Sequence, residues 1–181
     1  MKQAARLGAV WLSAAFVACG AGRAIFNVDV LSFLAASGDD VIPYNVIGGV
    51  PQIDIDSSAQ FSLPPGLGRS TTDSVQLTGA AVLENVTGSG DVAFQVFFAQ
   101  TQGSLFTGTP YISTPSVTVA GPDTVPFLVP TTVSLSDTVF NATDLWVGIR
   151  IRLSTNLGPN LTGHLRLTQL GVRVVLQDKV F

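Results

Sequence analysis

The chain is poor in the residues from which most enzymes and metal sites are built. Its 181 residues include one cysteine, one histidine, one glutamate and two lysines. A lone cysteine excludes an internal disulfide and a thiolate zinc site. The lone histidine, His164, sits in an alternating segment with Arg166 and Thr168 and reads as a solvent-facing strand residue rather than a member of a triad. No Gly-x-Ser-x-Gly elbow, metalloprotease motif or phosphate loop is present, so the sequence predicts neither an enzyme nor a bound cofactor. Nine basic residues are scattered against twelve acidic ones. Without a cationic cluster, nucleic acid is not an expected partner. The apolar run at 7–18 covers twelve residues, about 18 Å of helix, against roughly 30 Å of bilayer hydrocarbon.

What is abundant is Val, Thr, Phe, Gly and Pro, a mixture that favours short strands and turns over helices. A strand is expected over 25–33, with Phe26, Val28 and Val30 on one face. The Pro- and Gly-rich stretch 41–67 reads as irregular, with an edge strand around Gln52 to Ile55. Alternation is stronger from Asp73 onward. Val75, Leu77, Ala81 and Leu83 form one row, and Gly88-Ser89-Gly90-Asp91 reads as a hairpin turn. Val92, Phe94, Val96 and Phe98 form the next row. Short strands follow near Val117 and Val125, with Pro130 marking a bend or bulge. Ser136 or Asp137 is placed to cap a helical turn.

The clearest strand has Leu145, Val147, Ile149, Ile151 and Leu153 on one face, with Trp146, Gly148, Arg150 and Arg152 on the other. In the last strand the apolar parity switches between Leu167 and Leu170. A bulge near Leu170-Gly171 would keep both halves facing one core. Seven or eight antiparallel strands imply an all-β fold of two packed sheets: an immunoglobulin-like β-sandwich first, a jelly roll as the alternative.

Four side-chain groups are candidates for function. Trp146, Arg150 and Arg152 form an outward stripe with a gap at Gly148, a surface for a glycan or a protein; the reading preferred here is that Trp146 packs under a loop and the arginines pair with acids on the neighbouring strand. Tyr44 and Tyr111 are further candidate stacking platforms for a sugar. Asp54 and Asp56 share a strand face and are the weak candidate for calcium; no other metal site is expected. The 41–67 stretch is the expected place for partner specificity. Asn85, Asn141 and Asn160 begin Asn-x-Thr triplets, which a Thr/Asn-rich β protein yields by chance.

The N-terminal segment has its own grammar. Lys2 and Arg6 precede the apolar run, which closes on small residues, the profile of a signal peptide at 1–18. Phe16-Val17-Ala18-Cys19-Gly20 resembles the lipobox of bacterial lipoproteins, with Phe16 in place of the usual Leu. The resemblance implies acylation of Cys19, a tether over 19–24 and a single domain over 25–181. Gly20 after the cysteine implies, by the same resemblance, passage to the outer membrane of the cell envelope. The membrane is then a partner through the lipid, and envelope proteins or glycans are the other candidates. With Glu84-Asn85 leading to a Gly/Ser turn, an aromatic-alternating strand after it and Leu145-Trp146-Val147-Gly148 further on, the segment from Val75 to Leu153 resembles the CARDB-like and fibronectin-like modules of bacterial surface proteins. That likeness implies a surface role as a non-enzymatic interaction or structural module, with a carbohydrate-binding module as the alternative.

Overall fold

The computed structural model describes residues 23–62, 70–135 and 137–178. Cys19 and the signal segment lie outside these residues. Among the described residues the strands are β1 (Arg23–Asp29), β2 (Val41–Val46), β3 (Ile53–Ser62), β4 (Ser70–Thr87), β5 (Ser89–Ala99), β6 (Ile112–Ser113), β7 (Val117–Ala120), β8 (Asp123–Leu135), β9 (Asp144–Thr155) and β10 (Leu161–Asp178). One helix, α1 (Val30–Ser37), follows β1.

The strands form two antiparallel sheets. The first has the order β1-β10-β4-β8, with β2 also on β10; the second has β3-β9-β5-β6, with β7 also on β5. The β6 and β7 segments pair with opposite ends of β5 and act as one interrupted strand. With β1 and β2 likewise sharing one edge of β10, the sheets read 2-10-4-8 and 3-9-5-7, and each connection crosses between sheets except β1 to β2 and β5 to β7. This is the two-sheet antiparallel sandwich expected from the sequence. Its strand order is that of the jelly roll, the second of the two topologies considered.

Alternation puts one face of each sheet into a shared core. Leu77, Leu83, Leu165 and Val174 come from the first sheet, and Phe94, Val96, Ile149 and Ile151 from the second. Phe94 and Phe127 meet edge to face across it, with centroids 5.4 Å apart.

Three local features differ from the sequence reading. The strand expected over 25–33 stops at Asp29, whose side chain caps α1 by accepting from the Ser32 amide. Gly38 ends the helix at φ 81°, donating back to Ala35, while Asp39 donates to Leu34, so the carbonyls of the last turn are satisfied. The stretch 41–67, read as irregular, holds two full strands. Pro43 is tolerated because β2 pairs only with β10 and lies on an edge. Finally, residues 88–91 do not close a hairpin. At Gly88, with φ 80°, the chain leaves β4 in one sheet and enters β5 in the other. A Cβ there would lie 2.4 Å from the Asn160 carbonyl oxygen, so backbone proximity as well as φ demands glycine.

The parity switch in β10 is real. Leu165 and Leu167 are buried, as are Leu170, Val172, Val174 and Leu176. The bulge falls at Thr168 rather than at Leu170-Gly171: Leu167 pairs with Ala81, Gln169 with Ala80, and Thr168 has no partner on β4. A further register shift, between Leu77 and Gly79 on β4, gives β8 an extra residue at Pro130-Thr131. The capped turn also forms, as a 3-10 segment at Thr138–Asn141 with Asp137 accepting from the Val139 amide.

Candidate functional site

The outward face of β9 brings together the residues singled out in the sequence. Register places Asp54 of β3 opposite Arg152 and Asp56 opposite Arg150. Both pairs are bidentate. Arg150 donates from Nε and a terminal nitrogen to Asp56 at 2.7 and 2.8 Å, and Arg152 does the same to Asp54 at 3.0 and 3.2 Å. Arg150 also lies 3.6 Å from Asp54, so the four groups form a ladder. The hydrogen bond from Arg152 holds the Asp54 carboxyl below its ordinary value, and the acids hold both guanidinium groups above theirs. All four carboxylate oxygens are engaged by guanidinium nitrogens, so a calcium ion here would meet two arginines. Among the described residues no cluster of three or more His, Cys, Asp and Glu is placed to hold a metal.

The gap expected over Gly148 is filled. The connection 100–111 between β5 and β6 folds back over the outer face, and a Cβ on Gly148 would lie 2.7 Å from both Leu105 and Phe106. Phe97, Ala99 and Leu105 form a second, smaller apolar cluster, with Phe106 and Trp146 packed on it. The Arg150 guanidinium lies between Phe97 and Phe106, 5.4 and 4.8 Å from the ring centroids. Trp146 therefore covers apolar surface and is half-buried. Phe97 is the residue the alternation pattern passed over: it breaks the even-numbered row of β5 and, with Leu105-Phe106 further along the chain, signals a folded-back loop.

The two tyrosines part company. Tyr44 is 3% exposed, so it is not a stacking platform; its hydroxyl donates to Asn85 at 3.0 Å, and burial pushes its pKa up to about 12. Asn85 in turn donates to the Gly88 and Gly121 carbonyls. It is a buried corner brace rather than an accessible glycan acceptor. Tyr111 is half-buried against Phe98 and Phe140, and its hydroxyl donates to Asp137. Burial, then that bond, raise its pKa.

His164 lies on the outer face of the first sheet. Its Nε2 is 3.3 Å from Glu84, and Arg166 stands 3.7 Å from the other oxygen of the same carboxylate. Asn141 accepts from the amide and hydroxyl of Thr72, and exposed Asn160 donates to Asn45. No helix among the described residues is long and apolar enough to cross a membrane.

The strand order and ladder define an all-β sandwich whose conspicuous charged groups are paired across neighbouring strands. No protein-family model matches the chain, and no curated protein matches it. Among solved structures, it is similar to infectious bursal disease virus of the Gx strain at 12% identity and a TM-score of 0.38, covering 97% of this chain and 43% of the other. The Gt strain gives 12% identity and 0.40, covering 95% and 42%. The T13 viral particle of the same virus gives 12% and 0.37, covering 94% and 39%. The chain thus spans less than half the length of the solved chains it matches, and likeness at this level carries no functional argument.

Proposed function

We propose that this protein is a non-enzymatic interaction or structural module of the bacterial cell envelope, held at the outer membrane by a lipid on Cys19. The observation that carries the non-enzymatic part is the pairing of four carboxylates: Asp54 and Asp56 bind Arg152 and Arg150, Asp137 accepts from Tyr111, and Glu84 lies within 3.7 Å of Arg166. Catalytic groups need a free face toward substrate, and these groups face one another.

The anchoring part is supported by where the sandwich begins. Arg23, four residues after Cys19, already pairs with Gln177 in β1. Four extended residues reach roughly 14 Å. An acylated Cys19 would therefore hold the β1 end of the sandwich against the membrane surface.

The test is metabolic labelling with an alkyne fatty acid, together with detergent phase partition and intact mass. The wild-type chain should carry label, enter the detergent phase and weigh more than a polypeptide beginning at Cys19. Cys19→Ser should lose all three properties. An unlabelled wild-type chain in the aqueous phase would overturn the anchor.

A further inference from the structure

The end of the sandwich where β1 starts carries a cleft of about 680 Å³, within the size range of small-ligand sites. One wall is the 100–111 connection and the other is the 3-10 turn after Asp137. Its floor reaches core residues Leu77 and Phe98. The walls are tied to each other. Gln100 donates across to the Thr138 carbonyl at 3.0 Å and to that of Val139 at 3.4 Å, and Tyr111 donates to Asp137. The opening is thus fixed in shape before anything enters it.

The lining has a distinct chemistry. Ser104, Thr107, Thr109 and Thr138 supply hydroxyls, and among the described residues no Lys, Arg or His lines the cleft. The one carboxylate among the described lining residues, Asp137, is already met at one oxygen by the Val139 amide at 2.9 Å and at the other by Tyr111. Among the described residues an anion would find no cation to pair with and a carboxylate to repel it. A neutral ligand rich in hydroxyls finds both donors and acceptors, with half-buried Pro110 and Tyr111 in the wall as apolar surfaces against which its C–H faces can rest.

We propose that this cleft binds an uncharged saccharide, as a short neutral oligosaccharide or the neutral sugar headgroup of a glycolipid. The proposal goes beyond the envelope reading and does not need the lipid on Cys19. Where that lipid is present, the cleft opens at the membrane-proximal end, and both sources of sugar are within reach.

The test uses the full chain in detergent on an array of free neutral oligosaccharides and of their uronic or sialylated counterparts. A parallel arm offers neutral glycolipids in nanodiscs. Thr109→Val and Thr138→Val remove one exposed hydroxyl each while keeping side-chain shape. Leu157→Ser, at the opposite end, is the control. The expected result is binding to neutral saccharides that falls at least tenfold in both threonine variants, with unchanged melting and an unaffected control. Binding in the nanodisc arm alone would assign the headgroup, and binding in the free arm would assign a glycan. Preference for acidic sugars, neutral binding that survives both threonine changes, or binding in neither neutral arm would overturn the proposal. None of these outcomes bears on Cys19 acylation, so the two readings fail separately.

Discussion

Single side chains here are better explained by what they hold in place than by what they could react with. Asp54 shows this quantitatively. Its carboxyl is held below its ordinary value chiefly by the Arg152 hydrogen bond, so the folded state binds its proton less readily than the unfolded chain does. The stability it contributes is therefore complete above the unfolded carboxylate value of about 4 and is lost as pH falls through the lower folded value. Thermal melts taken from pH 6 down to pH 2.5 should show a drop in the wild type that is shallower in Asp54→Asn. Parallel slopes would mean the ladder adds nothing measurable, which is the common outcome for exposed pairs. Trp146 makes the complementary point. Its outward parity and its packing under a loop were legible in the sequence, but which loop was not, because Leu105 and Phe106 come from a connection whose path no alternation pattern encodes.

At the scale of elements, β9 was readable because it is buried on one face along its whole length and its partners β3 and β5 keep one register with it. The parity switch in β10 was equally plain, yet its bulge was assigned to glycine. The chain instead places an exposed threonine there, since one unpaired residue anywhere between Leu167 and Leu170 restores the phase. Deleting Thr168 should therefore be far worse than substituting it. Thr168→Ala should shift the melt by only a few degrees, within about 1 kcal/mol. The deletion would turn either Leu165 and Leu167 or the four apolar residues after them to solvent, and should abolish a cooperative transition in circular dichroism. A deletion variant melting like the wild type would remove the bulge's structural role. The hairpin expected at 88–91 failed for a related reason: a glycine turn has the same local signature whether the strands it joins pair together or diverge into two sheets. Helix α1 was missed because Val30, Leu31 and Phe33 also suit a strand, although Asp29 and Gly38 are proper caps.

At the scale of the whole molecule, the jelly roll makes every sheet pairing except those of β5 with β6 and β7 a contact between segments far apart in sequence. Such a chain must close long loops before gaining its sheets, so refolding should take milliseconds to seconds rather than microseconds. Stopped-flow circular dichroism after dilution from denaturant would measure it; a sub-millisecond phase carrying the full amplitude would contradict the topology. The two ends of the sandwich also differ. Residues 45–53, 86–90, 118–122 and 154–163, which form the end away from Arg23, contain no Asp, Glu, Lys, Arg or His. Ile47 and Leu157 are 71% and 92% exposed there. They sit on two connections locked by the Gly49 amide donating to the Asn156 carbonyl at 3.0 Å.

The pairing of β1 with β10 has a mechanical consequence. Seven register pairs, from Arg23 with Gln177 to Asp29 with Gly171, join the two strands. Their hydrogen bonds run across the strand direction. Tension drawn through the polypeptide ahead of Arg23, along the β1 axis, would load the whole row in shear instead of peeling it open one rung at a time. The first strand is thus a grip suited to resisting a steady pull.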